Sequence, residues 1–114
     1  MKWKKVSPEL VEALESAMFG FNAEKRKMFG SPVWFVNGNM LTGAHQDSIF
    51  VRASREDRDD ELSDGAAPFE PMEGRVMKDY VIVPESAYSD PKELGRWLSR
   101  SFEFTTTLPP KERK

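Results

Sequence analysis

A two-layer α+β domain, an antiparallel sheet with helices on one face, is predicted by three features of this sequence. Amphipathic helical periodicity opens the chain and closes it. Short β-prone runs joined by turn residues fill the middle. At 114 residues the length suits one domain with one core.

The elements follow in order. Ser7 can cap a helix whose first position is Pro8, where the missing N–H is not needed. Leu10, Val11, Leu14, Ala17 and Met18 recur at helical spacing, with Glu9, Glu12 and Glu15 elsewhere on the wheel, so a helix of about three turns should end near Gly20. Val33-Trp34-Phe35-Val36 is a strand, Asn37-Gly38 a two-residue type I′ turn, and Asn39 to Ala44 the returning strand. Gln46-Asp47-Ser48 reads as a second turn and Ile49 to Arg52 as a third strand. Ser54 can cap a second helix with acids in its first turn, although Leu62 is its main apolar anchor. Gly65 to Pro68 breaks it, and Phe69 to Gly74 is a loop or an edge strand because of Pro71. Val76 to Val83 is a further strand. Asp90-Pro91 then caps and starts the last helix, whose buried stripe is Leu94, Trp97, Leu98 and Ser101-Phe102. The order is α-β-β-β-α-β(β)-α, with one domain over residues 1–104 and a tail, 105–114, expected to be mobile.

Composition narrows the chemistry. The chain has no cysteine, which excludes a disulfide framework, a zinc–thiolate site and a thiol nucleophile in it, and fits a reducing, cytoplasmic setting. The basic start, Lys2 to Lys5, lacks the apolar run of a signal peptide, and no stretch approaches the ~20 apolar residues of a membrane span. Net charge is −2, so no broad attraction to nucleic acid is expected. The charge is uneven. Lys2, Lys4, Lys5, Lys25, Arg26 and Lys27 make the N-terminal quarter basic, while Asp47 and the run Glu56 to Asp64 make the middle acidic.

No motif carries a cofactor. Phosphate-binding glycine signatures are missing. Counted from Asp57, the sixth position of an EF-hand loop would be Leu62 instead of glycine, so the acidic run reads as a solvated helix face. His45, the one histidine, has no nucleophile pattern around it and reads as a hairpin residue. Lys25-Arg26-Lys27 before Met28-Phe29 forms a basic corner, either a charged turn joining the first helix to the sheet or a small nucleic-acid footprint.

Aromatic residues carry more information. Trp34 and Phe35 are adjacent in a strand and must point to opposite faces. Phe50 and Tyr80 raise the same question. A sheet apolar on both faces needs a cover for the second one. That cover is a protein partner, a second copy, or the chain's own 65–75 segment or tail.

The ordered set of short pieces also resembles a known family. These are Arg26-Lys27-Met28-Phe29-Gly30, the hairpin Val36-Asn37-Gly38-Asn39-Met40, Ile49 to Arg52, Phe69-Glu70-Pro71-Met72, Gly74-Arg75-Val76-Met77, Tyr80-Val81, Val83-Pro84, Asp90-Pro91, Leu94, Trp97-Leu98 and Pro109-Pro110-Lys111. Together, from about residue 10 to 111, the sequence resembles the TfoX N-terminal domain family, related to the Sxy competence regulators. The resemblance implies an α+β fold of the secretion-chaperone-like type and supplies no catalytic residues. Ser31-Pro32 replace the second glycine usual after Met-Phe-Gly. Full-length regulators continue into a helical C-terminal domain, so the resemblance implies a stand-alone module.

The favoured functional expectation is a non-enzymatic, regulatory protein-interaction module using its sheet face or edge, with Trp34, Phe35, Phe50 and Tyr80 as candidate contacts. An alternative is a small-molecule or enzymatic site between the sheet and residues 65–75, with Arg52, Arg75 and Tyr80 as polar contacts. A third is a weak nucleic-acid accessory acting through Lys25, Arg26 and Lys27. No metal or other cofactor is implied.

Overall fold

A computed structural model describes residues 8–28, 31–45, 48–72 and 74–110. The elements are α1 (Pro8–Met18), β1 (Glu24–Met28), β2 (Ser31–Val36), β3 (Asn39–His45), β4 (Ser48–Arg52), α2 (Arg55–Ser63), β5 (Ala67–Met72), β6 (Arg75–Ile82), α3 (Glu85–Tyr88) and α4 (Pro91–Thr106). This is the expected α+β order with two additions, the strand β1 and the single-turn helix α3. The Ser7 cap and the Gln46-Asp47 turn lie outside the described residues.

Six strands form one antiparallel sheet in the order β1-β2-β3-β4-β6-β5. The first four make a meander. Helix α2 then carries the chain past the neighbouring slot, β5 forms the far edge, and β6 returns into the gap beside β4. Local chemistry accounts for the joints. Asn37 and Gly38 have φ of 51° and 83°, the paired positive values a type I′ turn demands. Ser54 Oγ accepts the Asp57 backbone N–H at 3.0 Å and starts α2. Asp90 Oδ1 accepts the Lys92 N–H at 3.0 Å and starts α4 behind Pro91. Helix α4 continues to Thr106, past Phe104, because Thr105 is fully buried and its hydroxyl donates to the Ser101 carbonyl. Beyond it, the Pro109 carbonyl accepts from Asn39 Nδ2 at 3.0 Å, joining the chain to the β2–β3 turn.

One sheet face carries the main core. Leu10, Leu14 and Met18 of α1, Ala87 of α3, and Leu94 and Leu98 of α4 pack on Trp34, Val36, Leu41, Ile49, Val51 and Val81. Leu62 of α2 leans on the same cluster. Each fully buried aliphatic side chain contributes roughly 1.5–3 kcal/mol through removal from water. The register of β2 on β3 shifts between Trp34 and Phe35, opposite Thr42 and Met40, so Leu41 is the extra residue of a bulge. Thr42, opposite Trp34 and Val51, falls on the helix-side face. Its buried hydroxyl donates to the Phe50 carbonyl at 2.6 Å and so is not left unpaired.

The opposite face has a smaller core of Val33, Phe50, Phe69 and Tyr80, with Phe35, Met40 and Ile82 packed against it. Phe69 stacks on Phe50 with ring centroids 4.6 Å apart and planes 12° from parallel. Two irregularities in the β5–β6 register, at Pro68/Phe69 and between Phe69 and Met72, bend the hairpin and let an edge-strand side chain reach over β4. Gly43 lies directly opposite Phe50, and a Cβ there would fall 2.8 and 3.0 Å from the Phe50 ring and 3.1 Å from the Pro32 carbonyl.

Gly43→Ala is therefore expected to cost about 1–3 kcal/mol by overpacking. Phe50→Leu in the same chain should recover part of that loss, so that the double variant is more stable than the sum of the singles predicts. Urea unfolding of the four proteins checks this.

Candidate functional site

Trp34 and Phe35 do point to opposite faces, Trp34 into the main core and Phe35 against the smaller one. Trp34, Phe50 and Tyr80 are 5%, 4% and 3% exposed, while Phe35 is half-buried. The second face is thus covered within the chain, by Phe69 of the 65–75 segment. His45 closes its rim, edge-on to Phe69 at 5.4 Å.

The polar contacts expected between sheet and loop separate. Arg52 and Tyr80 are directly opposite on β4 and β6. Arg52 Nε donates to the Met40 carbonyl at 2.7 Å, its Nη2 donates to the Tyr80 hydroxyl at 2.6 Å, and that hydroxyl donates to the same carbonyl at 3.0 Å. Burial pushes the Tyr80 phenol up to about 12 against the opposing influence of Arg52, so it remains a proton donor across ordinary pH. Both side chains are spent on the carbonyl next to the β3 bulge, which gives them a structural task. Arg75 stands apart, exposed at the start of β6.

The basic corner is not a turn. It is β1, whose five residues pair in unbroken register with β2 from Glu24↔Phe35 to Met28↔Ser31. Strand alternation divides its charges. Lys25 faces the helix layer, where it bridges to Glu15 of α1 and lies 5.8 Å over the Trp34 ring. Exposed Lys27 shares that face by alternation. Arg26 faces the other way, bound to Glu24 at 2.6 Å and 5.3 Å over the Phe35 ring. Carboxylates therefore already offset two of the three cations counted toward nucleic acid. Sequence reading missed this strand because an outermost strand needs no apolar alternation.

The two ends of the sheet differ. Strand β5 carries Pro68 and Pro71, which lack backbone donors, and two register irregularities. Strand β1 has no proline and no bulge, and among the described residues only β2 pairs with it. Among the described residues its outer side faces no other strand.

The acidic run is partly interior. Arg100 of α4 reaches Asp57 at 2.8 Å and Asp60 at 3.2 Å across the α2–α4 seam. Behind them Glu61 is 1% exposed, and its Oε1 has no hydrogen-bond partner among the described residues. Burial raises its pKa from 4.5 to about 7, with Arg100 opposing and Asp57, Asp64 and Asp60 adding to the rise. No cluster of three acid or histidine groups suited to a metal ion occurs among the described residues. The depression beside Glu61, about 920 Å³, is open, and Lys92, Arg96, Ser99 and Glu103 in its lining lie on the side of α4 away from buried Leu94 and Leu98. It is an outer helix surface more than a pocket. No helix among the described residues is long and apolar enough to cross a membrane.

Comparison with known proteins returns the model of the TfoX N-terminal domain, which matches residues 9–105. No curated protein matches the chain.

Two outcomes follow from this geometry. The unfolded chain ionises Glu61 near pH 4.5 and the folded protein only near 7, so stability should fall as pH rises through that window and level off above it. Glu61→Gln should remove that fall, as read by thermal unfolding at a series of pH values. Tyr80→Phe should cost about 1 kcal/mol, because Arg52 Nε still serves the Met40 carbonyl, whereas Arg52→Ala should cost about 1–3 kcal/mol by denaturant titration.

Proposed function

Since the chain belongs to the TfoX N-terminal domain family, we propose that it is a non-enzymatic, regulatory protein-interaction module that docks an extended segment of a partner along the free edge of β1. The observation that carries this reading is the contrast between the two sheet edges. One is blunted by Pro68, Pro71 and broken register, and the other is a regular strand that, among the described residues, pairs only with β2. An added strand gains main-chain hydrogen bonds along such an edge, and its alternate side chains supply specificity.

Burial of Trp34, Phe50 and Tyr80 moves the reading from the sheet face to the sheet edge. Self-association through β1 is disfavoured, because antiparallel pairing with a second copy would set the cations of Lys25, Arg26 and Lys27 against one another. The ligand-site alternative loses support from the Arg52–Tyr80 engagement of the Met40 carbonyl, and the nucleic-acid alternative from the Glu15 and Glu24 pairings.

The test is selection of binding peptides from a random library displayed on phage, followed by titration of the selected peptides into isotope-labelled protein. Amide shifts concentrated at residues 24–28 and the facing residues 31–35 are expected. Selected peptides that instead shift the outer face of α4 or residues 74–78, leaving 24–28 unmoved, would overturn the edge reading, as would failure to select any binder.

A further inference from the structure

Lys25 and Lys27 stand two positions apart on one face of β1, and the residue between them, Arg26, is neutralised from within its own strand by Glu24. The helix-layer face of this edge therefore keeps a net positive charge beyond the Glu15 bridge, carried by exposed Lys27, and the opposite face is close to neutral. On that opposite face, Arg26 lies over the Phe35 ring, and Val33, directly across from it, belongs to the smaller core. The Glu15–Lys25 bridge adds a direct observation, because a carboxylate brought by another element already occupies the first cation of the edge. That bridge is half-exposed on both sides, so it contributes little and is readily exchanged for another carboxylate.

We infer that the segment docked on β1 is acidic on alternate residues and apolar between them. This rests on the edge-docking reading above and specifies its partner. In a strand, residues i and i+2 share a face and are about 6.8 Å apart. Two acids at that spacing on an antiparallel added strand fall opposite Lys25 and Lys27 together, each within reach of a cross-strand ion pair. The intervening side chains turn to the other face, where Phe35 is half-buried and Glu24 and Arg26 satisfy each other. An apolar residue there extends the smaller core outward, while a lone charge would meet no unpaired partner on β1. A basic segment is excluded by the same geometry, since like charges directly opposite each other are destabilising.

The experiment uses four fluorescein-labelled probes with the full chain. They are an alternating Glu-Val hexapeptide, the matching Lys-Val hexapeptide, and Glu-Val peptides N-methylated on alternate residues in each of the two phases. Fluorescence anisotropy reads binding, and amide shifts locate it. The Glu-Val peptide is expected to bind, with shifts at residues 24–28, and one N-methylated phase should lose binding. Lys25→Glu/Lys27→Glu should weaken it by about tenfold and improve the Lys-Val peptide. Because Lys25 also lies over Trp34, Lys27→Glu alone provides a variant with an exposed change and should show the same direction. Equal binding of the Glu-Val and Lys-Val peptides, with shifts still at 24–28, would overturn the acidic partner and leave edge docking standing. Unchanged binding of both N-methylated phases, or shifts elsewhere, would overturn edge docking itself.

Discussion

A strand that carries bulky apolar side chains at consecutive positions has to be buried from both sides. Trp34 and Phe35 impose that condition on β2, and Phe50 with Val51 and Tyr80 with Val81 repeat it on β4 and β6. Helices α1, α3 and α4 cover one face. The other is covered by bending: prolines and register breaks turn the β5–β6 hairpin until Phe69 lies flat on Phe50. Close packing beneath that ring leaves no room for a side chain at position 43.

Covering both faces leaves the ends of the sheet as its open sides among the described residues. Trp34, Phe50, Phe69 and Tyr80 are buried inside the chain, while Phe19, Val76 and Met77 stay exposed. The prolines in β5 remove donors from one edge, so the same residues that shape the cover also protect that side. At β1 no proline or bulge blunts the strand, and three cations lie along it. Charge does not close an edge in the way proline does. In the proposed docking, charge selects among partners by sign.

Electrostatics in the rest of the molecule follow the packing in a similar way. Arg52 and Tyr80 look like ligand contacts until the β3 bulge is placed beside them and its carbonyl engages both. Glu61 looks like one more surface acid in a run of six until the fold takes it out of water beside the Arg100 bridges to Asp57 and Asp60. A buried carboxyl without a hydrogen-bond partner is costly when ionised, which ties the α2–α4 seam to the proton concentration.

Much of this architecture was legible in the residues. The 3.6-residue periodicity of Leu10, Leu14 and Met18, the caps at Ser54 and Asp90 and the Asn37-Gly38 turn are local signals, and local backbone physics answers them directly. The opposed directions of Trp34 and Phe35 follow from the pleat alone. The charged run Glu24 to Met28 became a strand only because β2 offered it hydrogen bonds, and backbone pairing leaves no mark on composition. The burial of Glu61, the Arg52–Tyr80 engagement of Met40 and the reach of Phe69 over Phe50 were likewise decided by the tertiary structure. Each depends on segments 19 to 43 residues apart meeting, and no spacing along the chain encodes which side chain will be shut away from water when they do.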